Sequence, residues 1–378
     1  MKIRDFGVEI WMNRYENHCE LNLAETCVES LTVGELLDMA GRKDGILAEL
    51  LPMKLTYGAI EGSERLRGLI AGLYERQSAE NVVVTHGAIG ANALVHETLV
   101  EPGDRVVSVL PTYQQHYSIP ESLGADVKIL KLTAEHGFLP DLAELRRLAA
   151  TGTKLICLNN PNNPAGSLMD RDFLLQVVEI ARGCGAFILC DEVYRGTDQE
   201  GDGMTASIAD LYEKGISTGS MSKTYSLAGL RLGWIVGPKD LLRAVSVHRD
   251  YNTISVGMID DHFAAIALEN RDRILARSHA ITRRNLAILA EWVESEPLIS
   301  WVKPKSGTTA LLKYDLPISS TAFCTRLLER TGVMLVPGSA MDMEGHLRIG
   351  YANGQAVLRE GLRRLSSFLR EEQAALTA

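Results

Sequence analysis

Residues 153–194 read TKLICLNNPNNPAGSLMDRDFLLQVVEIARGCGAFILCDEVY, and this stretch decides the fold. Thr153–Leu158 and Phe187–Cys190 are short apolar runs, and Asp170–Cys184 between them carries the 3.6-residue period of a helix. Continuous apolar strands, unlike alternating ones, are buried on both faces. Two of them joined by a helix of this length form a parallel pair with the helix packed on one side.

The same texture extends outward. Strand-like runs lie at Asn81–Thr85, Arg105–Leu110, Asp126–Leu132, Ile216–Ser220 and Leu232–Val236, with helical patterns at Ile89–Val100, Gln114–Ser122 and Leu139–Ala149. The expectation is an α/β chain whose large domain holds a mostly parallel, seven-stranded sheet flanked by helices. After Asn252 a largely helical tract runs from Asp260 to Glu294, uninterrupted by Pro or Gly. Residues 297–378 read as a small α+β unit, with strands near Leu298–Val302, Thr309–Tyr314 and Leu347–Tyr351 and helices at Ser320–Thr331 and Ala356–Leu376. Phe6, Ile10, Trp11 and Tyr15 give residues 1–16 an apolar face expected to pack on that unit. The predicted division is 1–45 for the N-terminal segment, 46–275 for the large domain and 276–378 for the small one.

The 378 residues are 46% hydrophobic and 23% charged, the balance of an ordinary globular protein rather than a disordered one. No stretch approaches the roughly 20 apolar residues of a membrane span. The start, MKIRDFGVEIW, has no apolar signal-peptide core. Net charge is 39 − 48 = −9, which argues against a nucleic-acid partner. Six scattered cysteines without a C-x-x-C pair read as reduced thiols of a cytoplasmic protein, and no metal site is expected.

In open parallel sheets, ligands bind beyond the carboxyl ends of the strands. After the first strand come Gly87, Ala88 and Ile89, small residues at a helix start where backbone N–H groups can hold a phosphate. A plain tight turn would read the same. No G-x-G-x-x-G or G-x-x-x-x-G-K-[ST] is present, which disfavours a nicotinamide enzyme or a P-loop NTPase. The later strands are followed by Asn159–Gly166, by Asp191 and Tyr194, and by Ser220, Ser222 and Lys223, with Arg231 eight residues on. Phosphate donors, a carboxylate, a phenol, an amide and a primary amine thus share one edge. That set suits pyridoxal 5'-phosphate.

The chain resembles the fold-type I pyridoxal-phosphate enzymes of the class I/II aminotransferase family over nearly its whole length. The matching pieces are NNPNNPAG at 159–166, DEVY at 191–194, SMSK at 220–223, GLRLGW at 229–234 and HLRIGY at 346–351. The resemblance implies that Lys223 forms the Schiff base with the cofactor and then carries a proton between substrate and cofactor carbons. Burial beside cations is expected to favour its neutral amine. Asp191 would face the pyridine nitrogen. Tyr194 and Asn163 would bond the ring oxygen, and Tyr113 would stack on the ring. Arg231, Ser220, Ser222 and the N–H groups of Gly87, Ala88 and Ile89 would cup the phosphate. Arg348, with Asn163 beside it, would grip the substrate carboxylate. Tyr57 resembles the tyrosine that a neighbouring subunit lends to the phosphate, which implies a homodimer with shared sites.

Three departures stand out against the family pattern. The stretch Asn22–Thr32 lacks the Gly-x-Pro-Asp segment, Ser306–Ala310 replaces Gly-Ala-Phe-Tyr, and Met341 replaces a Phe. Loss of two aromatics implies a roomier, more polar pocket. With no second arginine assignable to a side-chain carboxylate, dicarboxylate specificity is not expected. Glu25 would either meet a basic substrate side chain or cap and pair within the protein. Two outcomes fit the same cofactor cage: transamination between an L-amino acid and a 2-oxo acid, or a lyase, cyclase or hydroxylation-type reaction on an amino acid such as arginine. A regulator's effector domain fits poorly, because the cofactor fold begins within the first 50 residues.

Overall fold

The computed structural model describes residues 2–377. Seven strands form the large sheet: β1 (Val82–Thr85), β2 (Arg105–Leu110), β3 (Asp126–Lys131), β4 (Thr153–Asn159), β5 (Phe187–Asp191), β6 (Gly215–Ser220) and β7 (Gly233–Val236). Their spatial order is β1-β7-β6-β5-β4-β2-β3. Neighbours from β6 through β3 pair in parallel, and β7 runs antiparallel to both β1 and β6. The expected mostly parallel sheet is therefore present, with one reversed strand.

The pleat divides each strand between two cores. Leu155 and Cys157 of β4 pack with Val83, Val106, Leu189 and Ile216 on one face. Ile156 and Leu158 pack with Val107, Ile188 and Cys190 on the other. Strand β6 reads GISTGS yet is wholly buried. Its hydroxyls are satisfied internally: Ser217 donates to Glu192 Oε2 at 2.7 Å and Thr218 donates to Asn92 Oδ1 at 2.7 Å. The helix Arg171–Cys184 starts where the Asp170 side chain accepts from Phe173 N and ends at Gly185, whose φ of 78° suits glycine.

The helical tract predicted over 260–294 is two helices, Met258–Glu269 and Arg271–Ser295. Asn270 breaks it without Gly or Pro: its Nδ2 donates to Ile266 O at 2.9 Å, a local bond that competes with helical continuation. The second helix runs across residues 275 and 276, where the large and small domains were expected to divide. The small sheet is antiparallel, in the order Val336–Pro337, His346–Gly350, Thr309–Tyr314, Ile299–Trp301. Val336–Pro337, two residues long, gives no periodicity to read and was not anticipated.

The N-terminal helix Gly7–Tyr15 buries Val8 and Trp11, and Trp11 Nε1 donates to Leu335 O at 2.8 Å, so it packs on the small sheet's side as expected. Ile10 departs from the predicted apolar face and stays 52% exposed. The same segment also reaches the large sheet, where Gly7 N donates to Gln114 Oε1 at 2.9 Å and Gln114 Nε2 donates to Asp5 O at 2.7 Å. Leu21–Asn22 then pairs in parallel with Val333–Met334. Residues 5–22 therefore lie across the cleft mouth between the two sheets. Among the described residues no helix is long and apolar enough to cross a membrane.

Candidate active site

A cavity of about 370 Å³ opens beyond the carboxyl ends of β4, β5 and β6. Its wall includes Ala88, Ile89, Tyr113, Asn163, Asp191, Tyr194, Ser220, Ser222, Lys223, Arg231 and Arg348. Eleven side chains singled out from sequence, spread over 261 residues of chain, thus meet at one place.

Asp191 ends β5 and is 4% exposed. Its Oδ2 accepts from Asn92 Nδ2 at 2.9 Å and its Oδ1 accepts from Val193 N at 3.2 Å. His116 Nε2 stands 3.6 Å from Oδ2. The carboxylate is held from behind by an amide that is itself fixed by Thr218, so its direction is set before any ligand binds. Asn92 was not foreseen. It sits fully buried on the helix Gly87–Leu99 among Ala91, Leu94 and Val95, and a polar residue on that apolar stretch was the available signal.

At the start of that helix Gly87 has φ +66°, and a methyl there would come 3.1 Å from Arg231 Nη2. Across from it, a methyl on Gly233 would lie 2.4 Å from Gly87 C and 2.5 Å from Ala88 N. Both positions require glycine, because backbone and guanidinium approach too closely for a Cβ. The result is a helix N-terminus, the hydroxyls of Ser220 and Ser222 and the Arg231 guanidinium at one end of the cavity. Arg231 Nη1 donates to Ala228 O at 2.9 Å, and Ser220 Oγ accepts from Ser222 N at 3.3 Å. The donor set and its anionic complement fit a phosphate monoester, and the phenol, amide and carboxylate farther in fit a pyridine ring with a hydroxyl.

Lys223 follows β6, and its Nζ donates to Thr26 Oγ1 at 2.7 Å and Cys27 Sγ at 3.6 Å. Burial pushes its pKa down, but Cys27, Tyr194 and Glu25 around it outweigh burial and raise it, with Arg348 opposing. The expected bias to the neutral amine is thus corrected: with protein groups alone around it, the ammonium is held, and Glu25 is the carboxylate among the groups that hold it. Burial lifts the Cys27 thiol to about 11, so it stands as a neutral partner at pH 7. Burial likewise raises the Tyr194 phenol, against Lys223 and Arg348.

Arg348 projects from the strand His346–Gly350 and is 3% exposed. Its Nη2 donates to Ala24 O at 3.1 Å, its Nη1 reaches Asn163 Oδ1 only at 3.5 Å, and its Nε has no partner among the described residues. Desolvation lowers its pKa, and among the described residues no carboxylate closes an ion pair with it. A buried cation with an unused donor facing the cavity is complementary to an anion. Tyr113 donates to Glu9 Oε1 at 2.8 Å and meets Phe6 at a ring-centroid distance of 4.8 Å. Tyr57 is not brought to the cavity by its own chain and is 76% exposed.

The N-terminal segment supplies what sequence reasoning passed over. Glu9, Met12, Glu16, Thr26 and Cys27 line the cavity together with Glu25. Glu25 Oε1 accepts from Thr26 N at 2.7 Å and Cys27 N at 2.9 Å, the capping role foreseen for it, while its side chain still lines the cavity. The roomier, more polar pocket expected from the lost aromatics does not arise as predicted. Thr308 and Thr309 are fully buried away from the lining, and Thr308 Oγ1 donates to Thr26 O at 2.6 Å. Met341 packs in the core with Val8 and Trp11. Polarity comes instead from three glutamates on the opposite wall. Arg231 and Arg348 are the arginines of the described lining.

Behind Asp191, the ligand atoms of His96, His116 and Cys157 lie within 4.8 Å of one another in full burial. No sequence spacing announces this cluster. Desolvation, and then His116, hold the His96 imidazole well below its usual pKa and hence neutral.

A family model described as aminotransferase class I and II matches residues 28–365. Capreomycidine synthase of Streptomyces vinaceus is 31% identical over 363 residues, covering 96% of this chain and 93% of its own. The crystal structure of a PLP-dependent aminotransferase from Streptococcus suis 89-1591 superposes with a TM-score of 0.95 at 43% identity, covering 98% and 99% of the two chains. That of the PLP-dependent cyclase OrfR superposes with a TM-score of 0.90 at 29% identity, covering 98% of each. The chain belongs to the class I and II aminotransferase family, has the type I fold of its pyridoxal-phosphate enzymes, and uses pyridoxal 5'-phosphate.

Proposed function

We propose that this family member is an aminotransferase that exchanges an amino group between an L-amino acid and a 2-oxo acid, with Lys223 as the residue that carries the cofactor. The observation that supports this most is the convergence of the Lys223 amine, the Asp191 carboxylate and the unpaired Arg348 guanidinium on one cavity. Pyridoxal phosphate, when bound, supplies the electron sink that accepts the pair left at the substrate α-carbon.

The chain's own residues do the rest. Arg231, Ser220, Ser222 and the N–H groups of Gly87, Ala88 and Ile89 hold the phosphate. Asp191, oriented by Asn92, would stabilise a proton on the ring nitrogen. Tyr194 and Asn163 would hold the ring hydroxyl, and Tyr113 would cover the ring face. Arg348 binds the substrate carboxylate as a planar fork and orients the α-carbon toward Lys223. Lys223 Nζ would be the base that takes the α-proton and returns it, with Thr26 Oγ1 guiding the amine. The N-terminal segment and Arg348 close the mouth and keep water out.

We further place the enzyme in the cytoplasm as a homodimer in which the partner's copy of position 57 completes the phosphate cup. Leu51, Leu55, Tyr57 and Tyr251 are each at least 76% exposed, an apolar surface that a second subunit would cover. Six cysteines without a disulfide suit a reducing compartment.

A cyclase reading has its own support, in the likeness to capreomycidine synthase and to the cyclase structure. Incubation of the purified holoenzyme with each common amino acid, followed by chromatography of cofactor and products, separates the two. Transamination yields pyridoxamine phosphate and a 2-oxo acid in equal amounts. A substrate consumed with the cofactor unchanged and a ring-closed product formed would replace our reading by the cyclase one.

A further inference from the structure

The cavity has two electrostatic walls. On one side lie Lys223, Arg231 and Arg348, whose natural complements are a phosphate and a carboxylate. On the other, the N-terminal segment presents Glu9, Glu16 and Glu25. Each of these retains at least one carboxylate oxygen without a hydrogen bond among the described residues. Glu9 uses Oε1 for Tyr113, Glu25 uses Oε1 for two backbone N–H groups, and the Glu16 side chain makes no hydrogen bond. No arginine, lysine or histidine forms an ion pair with any of the three among the described residues. Lys223 acts on Glu25 and Glu16 without closing an ion pair with either, and three acids set against one amine, which the cofactor engages, leave an electrostatic demand. Burial, and then Glu25 and Glu9, push the Glu16 carboxyl up against the opposing pull of Lys223, as expected where like charges share a site.

A second observation points to the ligand from the opposite wall. Arg348, 3% exposed, lines the same cavity with a guanidinium bonded only to Ala24 O and, at 3.5 Å, to Asn163, its Nε without a partner among the described residues. A molecule that satisfies both walls carries a carboxylate at one end and a positive charge at the other. Resting on the reading of this cavity as an amino-acid site, we propose that the substrate is an amino acid with a cationic side chain, a guanidinium or an ammonium. Arg348 takes its carboxylate, and its side chain runs out along Glu25 and Glu9 toward Glu16. Glu16, the exposed member, marks the mouth and fits a long side chain reaching past the half-buried pair. An amino acid with a carboxylate side chain meets repulsion along that path, and an apolar one leaves the three acids unpaired.

The test compares matched pairs on the purified holoenzyme: arginine against citrulline, which replaces the guanidinium by a neutral urea, and lysine against norleucine. The readout is the apparent dissociation constant from the change in the cofactor's visible absorption on adding the amino acid. We expect at least one cationic member to bind about tenfold or more tighter than its neutral counterpart, as lost charge-assisted hydrogen bonds imply. Glu9→Gln and Glu16→Gln should each shrink that ratio, and the double variant should bring it near one. Equal binding of cationic and neutral members, or a ratio that survives in the double variant, overturns the inference while leaving the amino-acid site in place. Failure of every amino acid, of whatever charge, to perturb the cofactor overturns the underlying reading as well.

Discussion

The rim of the large sheet and the N-terminal segment face each other across one cavity, and they are built on different principles. At the rim every functional group sits within a few residues of a strand end, and the strands fix one another. Thr218 of β6 bonds Asn92, which bonds Asp191 of β5, while Asn159 of β4 donates to Asp191 O at 2.9 Å. The N-terminal segment owes its place to a nine-residue helix and a two-residue strand pairing, and it contributes flexible glutamates. Rigid placement suits a cofactor whose reacting atoms need fixed geometry, whereas longer side chains on a short segment suit recognition of a substrate's far end. Damage to the rim should therefore abolish chemistry, and damage to the glutamates of the opposite wall should chiefly change what is processed.

The rim gives the largest expected effect. Lys223→Ala should lower turnover by at least about a thousandfold, roughly 4 kcal/mol of barrier, while the chain stays folded. Borohydride treatment of the wild type should fix the cofactor to the peptide containing Lys223. An adduct mapped to a different lysine would dissolve the rim assignment and the comparison with it.

Asp191→Asn comes next. The amide keeps the shape and can still pair with Asn92 after rotation, but it cannot hold a proton on the ring nitrogen. Turnover should fall by more than about tenfold, over 1.4 kcal/mol of barrier, with cofactor retention by gel filtration changed far less. A smaller loss would mean that the carboxylate does not face the ring.

Arg348 stands between the two walls, and its substitution measures where recognition begins. Arg348→Lys removes the planar fork from a site where Nε and Nη1 have no strong partner. kcat/KM for amino acids should drop by about 2–4 kcal/mol, chiefly through KM, with the cofactor spectrum barely altered. Preference for an amino acid over the amine that lacks its carboxylate should shrink. Unchanged efficiency would move carboxylate binding elsewhere.

The difference between the walls also explains what the sequence disclosed. Strand ends are legible because an apolar run stops abruptly at a polar residue, as Cys190 gives way to Asp191 and Leu158 to Asn159. The glutamates of residues 9–25 carry no such punctuation. Glu9 and Glu16 look like the polar side of an amphipathic helix and its end, and only the turn of the chain across the cleft brings them to the cavity. Asn92 was hidden for the opposite reason, since it lies within a buried helix where the apolar pattern is the dominant signal. Thr308, Thr309 and Met341 misled because their neighbours in sequence border the cleft while their own side chains turn into the core.

The smallest effect on chemistry is expected at the seam, where the loop beyond β5 grips the small sheet. Asp198, 7% exposed, accepts from Ser306 Oγ at 2.7 Å, beside Thr197, whose Oγ1 accepts from Gly307 N at 3.0 Å. Burial raises the Asp198 carboxyl to about 6, against the Ser306 hydrogen bond that favours its ionised form. A carboxyl whose folded pKa lies above its unfolded value binds more protons folded than unfolded between the two. Its contribution to stability is therefore fully favourable below about pH 3.8, declines as pH rises, and is lost above about pH 6. Asp198→Asn keeps an oxygen for Ser306 without a charge to desolvate. Denaturant unfolding across pH 4 to 7 should show the wild type losing on the order of 1–3 kcal/mol relative to the variant. kcat/KM should stay within about twofold, because Asp198 touches neither wall of the cavity. A stability difference that does not vary with pH would mean that the carboxylate is adequately solvated in the fold. A large loss of activity in a stable variant would mean that the seam holds the two walls in register, and the division between chemistry and recognition would have to include it.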